Sequence, residues 1–496
     1  MVCGLAVPYL WLALGAAGCS SDDPGPLPPG DPYAFWYEDQ LVDHFDDAND
    51  STWKQRYYVN DTHFDGTGPV FLCVGGEGPP LTSETVVTGA QHCAVMVSLA
   101  KEVGGLIVAV QHRFYGKSAP APTLSTENLQ WLSAPQALAD IARLHDVLAD
   151  DYDLSDANRW VSFGGSYPGM LAAWLRTQYP ELFHAAVSSS APVQARVNMQ
   201  GYANVMGRSL AAPIVGGSDA CVEVFGTAFA TFGQDVGTQE SRETLYTDFN
   251  ICTSDADPDP LTNTNNQFQL LDDLMDTYPI QSNDPNCTED ACNIQKSCDD
   301  YMLNATHGEP LERLAALFEV NAGEDCTSVD YQEESIAPLE DISLDAGPWP
   351  IRSWLYQTCA EFGFYQTCDP DTECPFTKVP HINNVNVSVA QCETLFGMDA
   401  AQVQANVDAT NAFFGGWDVP GTRILSVSGS IDPWHSLSLC RAPDCPAPAG
   451  QAALWVDGAS HHFWTHAPGF YVPPLAEPVA AAQEAIKLQV VEWLDE

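Results

Sequence analysis

Positive charge is what this chain has least of. Its 496 residues hold 18 Lys plus Arg against 66 Asp plus Glu, a formal net charge of −48. A surface of that sign repels phosphate backbones and anionic membrane surfaces, so nucleic-acid binding is set aside. Long apolar runs are also scarce. Beyond Leu5 to Leu14, no stretch is long and apolar enough to span a bilayer. No Cys-x-x-Cys pair occurs, which removes the commonest zinc pattern, and neither a metal nor a cofactor is expected. No internal repeat is evident, so solenoids and propellers drop out.

What is present describes a globular protein, with 45% hydrophobic and 10% aromatic residues, enough for one large core or two. Sixteen cysteines point to an oxidising compartment. Residues 1–19 read as an export signal: an apolar run, then Gly15, Ala16, Ala17 and Gly18, then Cys19. AAGC resembles the lipobox of bacterial lipoproteins, in which Cys19 carries the lipid, although no basic residue precedes Lys54. Residues 20–32 form a polar, Pro-rich linker. With Cys3 and Cys19 in the leader, fourteen cysteines remain, an even number suited to disulfides. Five sequons, at Asn49, Asn60, Asn286, Asn304 and Asn386, suit an exported chain. A homodimer is left open.

The organising stretch is 159–180, RWVSFGGSYPGMLAAWLRTQYP. Arg159 to Phe163 is β-prone, Gly164 and Gly165 permit a tight turn, and Pro168 and Gly169 open an apolar helix closed by Pro180. A serine at such a turn, Ser166, stands clear of the backbone, and the N–H of Tyr167 points to where an oxyanion would form. The pattern departs from Gly-x-Ser-x-Gly in having Pro168 at its last position.

Around this stretch the chain alternates strand and helix. Val70 to Val74, Gly104 to Val110, Phe183 to Val187, Arg423 to Val427 and Leu454 to Val456 are short buried runs. Several end in Gly-containing loops, as in a parallel sheet with its site at the carboxyl ends of the strands. Helices are expected after Ser133 and Pro135 and from about Pro478. From 196 to 414 helical patterns alternate with polar loops, which reads as an inserted, disulfide-containing, mostly helical cap. The expected organisation is α/β: an α/β-hydrolase domain in two parts, 33–195 and 415–496, with the cap between them. Within the cap, RSWLYQTCAEFGFYQTC gathers aromatics that either fill its core or line a pocket.

A hydroxyl needs a base to take its proton, and the base needs a carboxylate to fix its tautomer. Asp432 and His461 each follow a buried strand, and the order Ser166, Asp432, His461 is that of α/β-hydrolases. Taken singly, Asp432 reads as a turn cap and His461 as a loop histidine. It is the order that argues for chemistry. The motifs GGSYPGMLAAWLR, GSIDPWHS, GASHHFW, HRFYGKS, GGEGP, QLVDHF, TWKQRYYVN and YQTCAEFGFYQTC resemble a known family. It is the serine peptidase family that includes lysosomal prolyl carboxypeptidase, dipeptidyl peptidase II and thymus-specific serine protease. The resemblance covers about 33–496 and is greatest to the thymus-specific branch, where proline also follows the Ser-Tyr pair.

That resemblance implies nucleophile Ser166, orienting acid Asp432 and base His461, with His462 as the adjacent alternative. Oxyanion donors are the N–H groups of Tyr167 and Gly76. The family cleaves peptides after proline. Met170 and Trp434 could line the proline pocket, although ordinary packing is an equal reading. Glu77 could grip a substrate's amino terminus or make a structural hydrogen bond. Release of an N-terminal X-Pro dipeptide is favoured over removal of a residue after a penultimate proline, because cations are scarce. Arg113 and Lys117 are the nearest that could hold a carboxylate. A general esterase, and a binding protein on the same fold, are the competing readings.

Overall fold

The computed structural model describes residues 31–90, 92–275, 281–322, 325–344, 351–370, 372–375, 379 and 385–496. The expected leader with Cys19 and most of the linker lie outside the described residues. Ten strands follow in chain order: β1 Ala34–Leu41, β2 Thr52–Asn60, β3 Val70–Val74, β4 Leu106–Val110, β5 Trp160–Gly165, β6 Phe183–Ser189, β7 Arg196–Asn198, β8 Gly363–Tyr365, β9 Ile424–Gly429 and β10 Ala452–Val456. Eight form one sheet in the order β1-β2-β4-β3-β5-β6-β9-β10. β2 pairs antiparallel with both of its neighbours, and every other pair is parallel. This is the α/β-hydrolase fold.

The central strands form because they are unbroken apolar runs. β3 (VFLCV) and β4 (LIVAV) are buried at every residue, as strands covered on both faces must be. Phe71, Cys73, Ile107, Ala109, Val161, Phe163, Ala185 and Val187 project into a core shared with the helices Ala94–Val103 and Ala476–Asp495. On the opposite face, two of the intervening residues carry small hydroxyls toward the helix Tyr167–Gln178. Ser162 Oγ donates to Ala172 O at 3.0 Å and Ser188 Oγ to Gly169 O at 2.8 Å. Ser133 caps the helix Ala134–Asp151, its side chain accepting from Gln136 N.

By contacts the chain divides into two compact units, and the division is not a simple insertion. The sheet unit takes the described residues up to Ala195 together with Ile342–Phe362 and Ala405–Glu496; the other takes Arg196–Asp341 and Gly363–Gln404. The sequence suggested one block from 196 to 414. Polar bonds account for the difference. Leu124 N–H donates to Ile342 O at 2.7 Å, Arg352 Nε to Leu124 O at 2.8 Å and Ala134 N–H to Glu361 Oε1 at 2.8 Å, which ties 342–362 to the sheet unit.

The second unit contains the helices Gln200–Leu210, Asp219–Asp235, Gln239–Asp248, Thr264–Met275, Pro310–Asn321 and Val385–Phe396, with β7 and β8 paired in parallel. Disulfides Cys221–Cys298, Cys252–Cys326, Cys287–Cys292 and Cys368–Cys374 lie inside it. In the sheet unit Cys73–Cys93 ties β3 to the start of the helix Ala94–Val103, and Cys440–Cys445 closes a loop. Among the described residues no helix is long and apolar enough to cross a membrane. One sequon is unsuited to modification: Asn60 is buried, its Nδ2 donating to Val86 O at 2.9 Å.

These pairings imply that denatured, unreduced protein has few or no reactive thiols outside residues 1–19. Thiol titration checks this, and many free thiols would mean that the chain matures in a reducing compartment.

Candidate active site

β5 ends in Gly165, and the next residue, Ser166, has φ 63° and ψ −133° before the helix begins at Tyr167. A side chain in that region costs about 1–3 kcal/mol, so the turn persists only because its surroundings impose it. Ser166 N–H donates to Ser189 O at 2.9 Å, and Ser166 O accepts from Gly169 N at 2.9 Å and Met170 N at 3.1 Å. The turn is also tightly packed. A Cβ on Gly164 would come within 2.1 Å of Pro168 O, and one on Gly76 within 2.4 Å of Pro168 Cγ. The need for smallness therefore falls on Gly164 and Gly76. Position 168 lies in the first helical turn, where the fixed φ of proline fits, so its departure from glycine leaves the turn intact. Ser166 stays partly exposed while Gly165 and Tyr167 are buried.

Asp432 and His461 follow the carboxyl ends of the adjacent parallel strands β9 and β10. The aspartate is fully buried, and its Oδ1 accepts from Trp434 N at 3.0 Å and from His461 Nδ1 at 2.9 Å. Because Nδ1 carries that proton, the basic lone pair of His461 is on Nε2. Nε2 is buried without a hydrogen-bond partner, so it makes no bond to Ser166. Such bonds commonly close only when substrate binds.

His462 differs. Its backbone is left-handed at φ 42°, its N–H donates to Ser190 Oγ at 2.8 Å, and its Nδ1 meets Thr465 Oγ1 at 3.2 Å. Burial, together with the neighbouring His461, His466 and His92, holds it neutral, far below the usual imidazole range. Of the two histidines, His461 is the one bonded to Asp432.

The loop after β3 brings Gly76 and Glu77 to the nucleophile turn. Glu77 is only 5% exposed, and burial pushes its pKa up to about 7. Its own N–H, the Ser166 side chain and the Tyr167 N–H lie close enough to favour the ionised form, while Oε2 accepts no hydrogen bond. The carboxyl therefore sits beside the Ser166 side chain and the Tyr167 N–H, one expected oxyanion donor. Trp434 lies against His461, ring centroids 6.2 Å apart, and Met170 is fully buried in the first turn of the nucleophile helix.

Arg113 is also fully buried. Its Nε and one Nη2 proton go to Asp140 at 2.7 and 2.6 Å, and the rest go to Val42 O, Trp131 O and Leu41 O. All five donors are thus spent on structure. Lys117 is exposed. Sequence reasoning passed over the group around Tyr167: His112, Gln357 and Glu361, which the sequence carries inside HRFYGKS and YQTCAEF. Those motifs carried the resemblance, but periodicity does not show that they meet.

The family model described as serine carboxypeptidase S28 matches residues 40–466. The chain belongs to this family. It is 35% identical over 426 residues to thymus-specific serine protease of Homo sapiens, covering 84% of this chain and 79% of that one. Against the same-named protein of Mus musculus identity is 34% over 471 residues, 93% of this chain and 88% of that one. Lysosomal Pro-X carboxypeptidase of Bos taurus is 25% identical over 426 residues, 81% and 77% respectively. As an S28 member the protein is a serine-type peptidase.

Two expectations follow for this site. Ser166→Ala should abolish turnover with fold and disulfides unchanged, and Asp432→Asn should lower kcat by about 10⁴ through the wrong tautomer. His461→Ala should match the serine variant and His462→Ala should not. Peptidase assays of the purified variants, with circular dichroism, decide this; full activity of Ser166→Ala removes the assignment.

The second concerns pH. A carboxyl raised from 4.5 to about 7 binds its proton more tightly in the folded chain. The stability it contributes is present below pH 4.5 and lost as pH rises to 7. Glu77→Gln should therefore gain Tm relative to the parent across that interval and no further above it. A Tm difference that is constant with pH would mean that Glu77 ionises as it does in water.

Proposed function

We propose that the protein is a serine exopeptidase that cleaves after proline through an acyl-enzyme, releasing N-terminal X-Pro dipeptides. The observation that carries the mechanism is the buried Asp432–His461 bond, with Nε2 left unpartnered, at the same carboxyl-terminal edge of the sheet as the strained serine. His461 Nε2 takes the Ser166 proton as Oγ attacks the carbonyl carbon. The N–H groups of Tyr167 and Gly76 receive the oxyanion, and the proton passes to the departing amine. Water then enters by the same route in reverse and releases the acyl product.

Proline preference comes from the family resemblance and from the Pro-X activity named for one relative. The amino-terminal direction is supported by charge. A carboxypeptidase needs a cation for the substrate's carboxylate, and all the donors of Arg113 are engaged elsewhere. An aminopeptidase needs an acid, and Glu77 is at hand. Ionised Glu77 beside the Tyr167 N–H competes with an oxyanion. A substrate ammonium favours the ionised carboxyl and draws it toward the amine, off the position the oxyanion needs. Binding of the amine and opening of the site would then be one event. The exposed Lys117 keeps the Pro-X carboxypeptidase reading as the alternative. The disulfides support an oxidising destination, either released, anchored through Cys19, or within a lysosome-like compartment.

The test offers an X-Pro-chromogen and a blocked peptide ending in Pro-X at pH 5 and pH 7. Turnover of the first alone is expected, with Glu77→Gln raising its KM about tenfold or more. Cleavage of the blocked peptide alone overturns the aminopeptidase direction. Failure of a fluorophosphonate to label Ser166 overturns catalysis altogether and leaves a binding protein.

A further inference from the structure

Tyr167 contributes more than a backbone donor, because its side chain is held at both ends. The ring lies among Trp354, Phe362 and His112, with centroids 5.8, 5.2 and 5.4 Å away. Its hydroxyl lies in a chain of hydrogen bonds whose direction is set. His112 Nδ1 donates to Arg113 O at 2.7 Å, so Nε2 is bare and accepts from the Tyr167 hydroxyl at 2.9 Å. Gln357 Nε2 donates to the same hydroxyl at 2.9 Å and to Glu361 Oε2 at 3.2 Å, while Gln357 Oε1 accepts from the Tyr115 hydroxyl at 2.6 Å. Glu361 Oε1 in turn takes the first N–H of the helix Ala134–Asp151. With Glu361 ionised, which its burial delays to about pH 7, every proton has one destination, and the Gln357 amide has one orientation.

We propose that Gln357, seated by Glu361, is a positioning residue for the reaction. With His112 it grips the Tyr167 hydroxyl from two sides and so fixes the Tyr167 N–H where the oxyanion forms. The inference rests on the acyl-enzyme reading above. Its physical basis is that Tyr167 directly follows a serine in a strained conformation. The first helical residue must therefore be held from outside if its N–H is to keep a constant direction. Apolar packing of the ring restrains its position but leaves small tilts of its long axis. Two opposed hydrogen bonds on the hydroxyl remove them. Burial supports the arrangement. His112 is kept neutral, its pKa depressed to about 4, so Nε2 remains an acceptor throughout the working range.

Tyr167→Phe, which deletes one oxygen, and Gln357→Met, which keeps the length without polarity, test this singly and together. The readouts are turnover of a small activated ester lacking proline, normalised to fluorophosphonate-titrated serines, and the affinity of a small boronic acid that mimics the tetrahedral intermediate. Each variant should lower kcat about tenfold with KM changed less than about twofold, and boronate affinity should fall in parallel. The double variant should be no worse than the single ones, because both remove the same bond. Unchanged kcat per titrated serine overturns the proposal. So do losses confined to KM or to the titratable fraction, and an additive loss of about 100-fold in the double variant. The ester separates this test from the proline reading. A parent that hydrolyses the ester but no X-Pro peptide refutes only the specificity, whereas one that neither labels nor turns over ester refutes both.

Discussion

A serine held at φ 63° at the end of a buried strand is the constraint on which the rest of the sheet unit depends. No local preference of serine favours it, so it has to be imposed by neighbours that cannot move. β6 supplies Ser189 O for the Ser166 N–H, and the helix behind supplies two N–H groups for its carbonyl. Pro168 is pressed so closely against Gly164 and Gly76 that a methyl group at either glycine would overlap it. The loop that brings Gly76 there is in turn fixed by β3, which the Cys73–Cys93 disulfide ties down. A defect in any of these contacts would relax the turn before it unfolded the domain.

The scarcity of cations shapes the site as much as the fold does. The chain has only 18 Lys plus Arg, and Arg113 is committed wholly to Asp140, which also meets His44 Nε2, and to three carbonyls. Such a pair, fully desolvated and fully bonded, positions the loop it belongs to and cannot be spared for a substrate. In the proposed mechanism, negative charge developing on a substrate is left to backbone N–H groups. Histidines 92, 112, 462 and 466 remain uncharged because burial opposes their protonation. The acidic exterior also favours the approach of a substrate's ammonium group over its carboxylate.

Much of this was legible in the sequence. The parallel strands announce themselves as apolar runs; β3 has the expected ends, and β5 runs two residues further because Gly164 and Gly165 extend it where glycine suggested only a turn. β1 and β2 were harder to read. β1 is an edge strand in which only Gln40 is buried, so AFWYEDQL carries no alternation. The candidate nucleophile, acid and base could be named because each follows a strand. Gln357 and Glu361 could not, since they lie 190 and 227 residues from the groups they hold, and only the folded chain brings them together. The same long-range bonds move 342–362 out of the apparent insertion. Glu77 was visible as an acid in a glycine loop, but its position beside Ser166 depends on how β3 and β5 align.

Two hydrogen-bond systems meet at consecutive residues, and they are built differently. The set around Tyr167 is saturated: the Gln357 amide, both hydroxyls, His112 and both Glu361 oxygens have partners, so nothing in it has reason to move. The set around Ser166 is not. His461 Nε2, Asp432 Oδ2 and Glu77 Oε2 are all buried without a partner. Buried polar atoms left unpaired carry a desolvation cost, and folded chains retain few of them. These three are explicable if their partners appear during the proposed reaction: the Ser166 proton for Nε2, growing imidazolium charge for Asp432, a substrate cation for Glu77. On this view the static network holds the acceptor of negative charge still, and the unsatisfied one waits for the charge to appear.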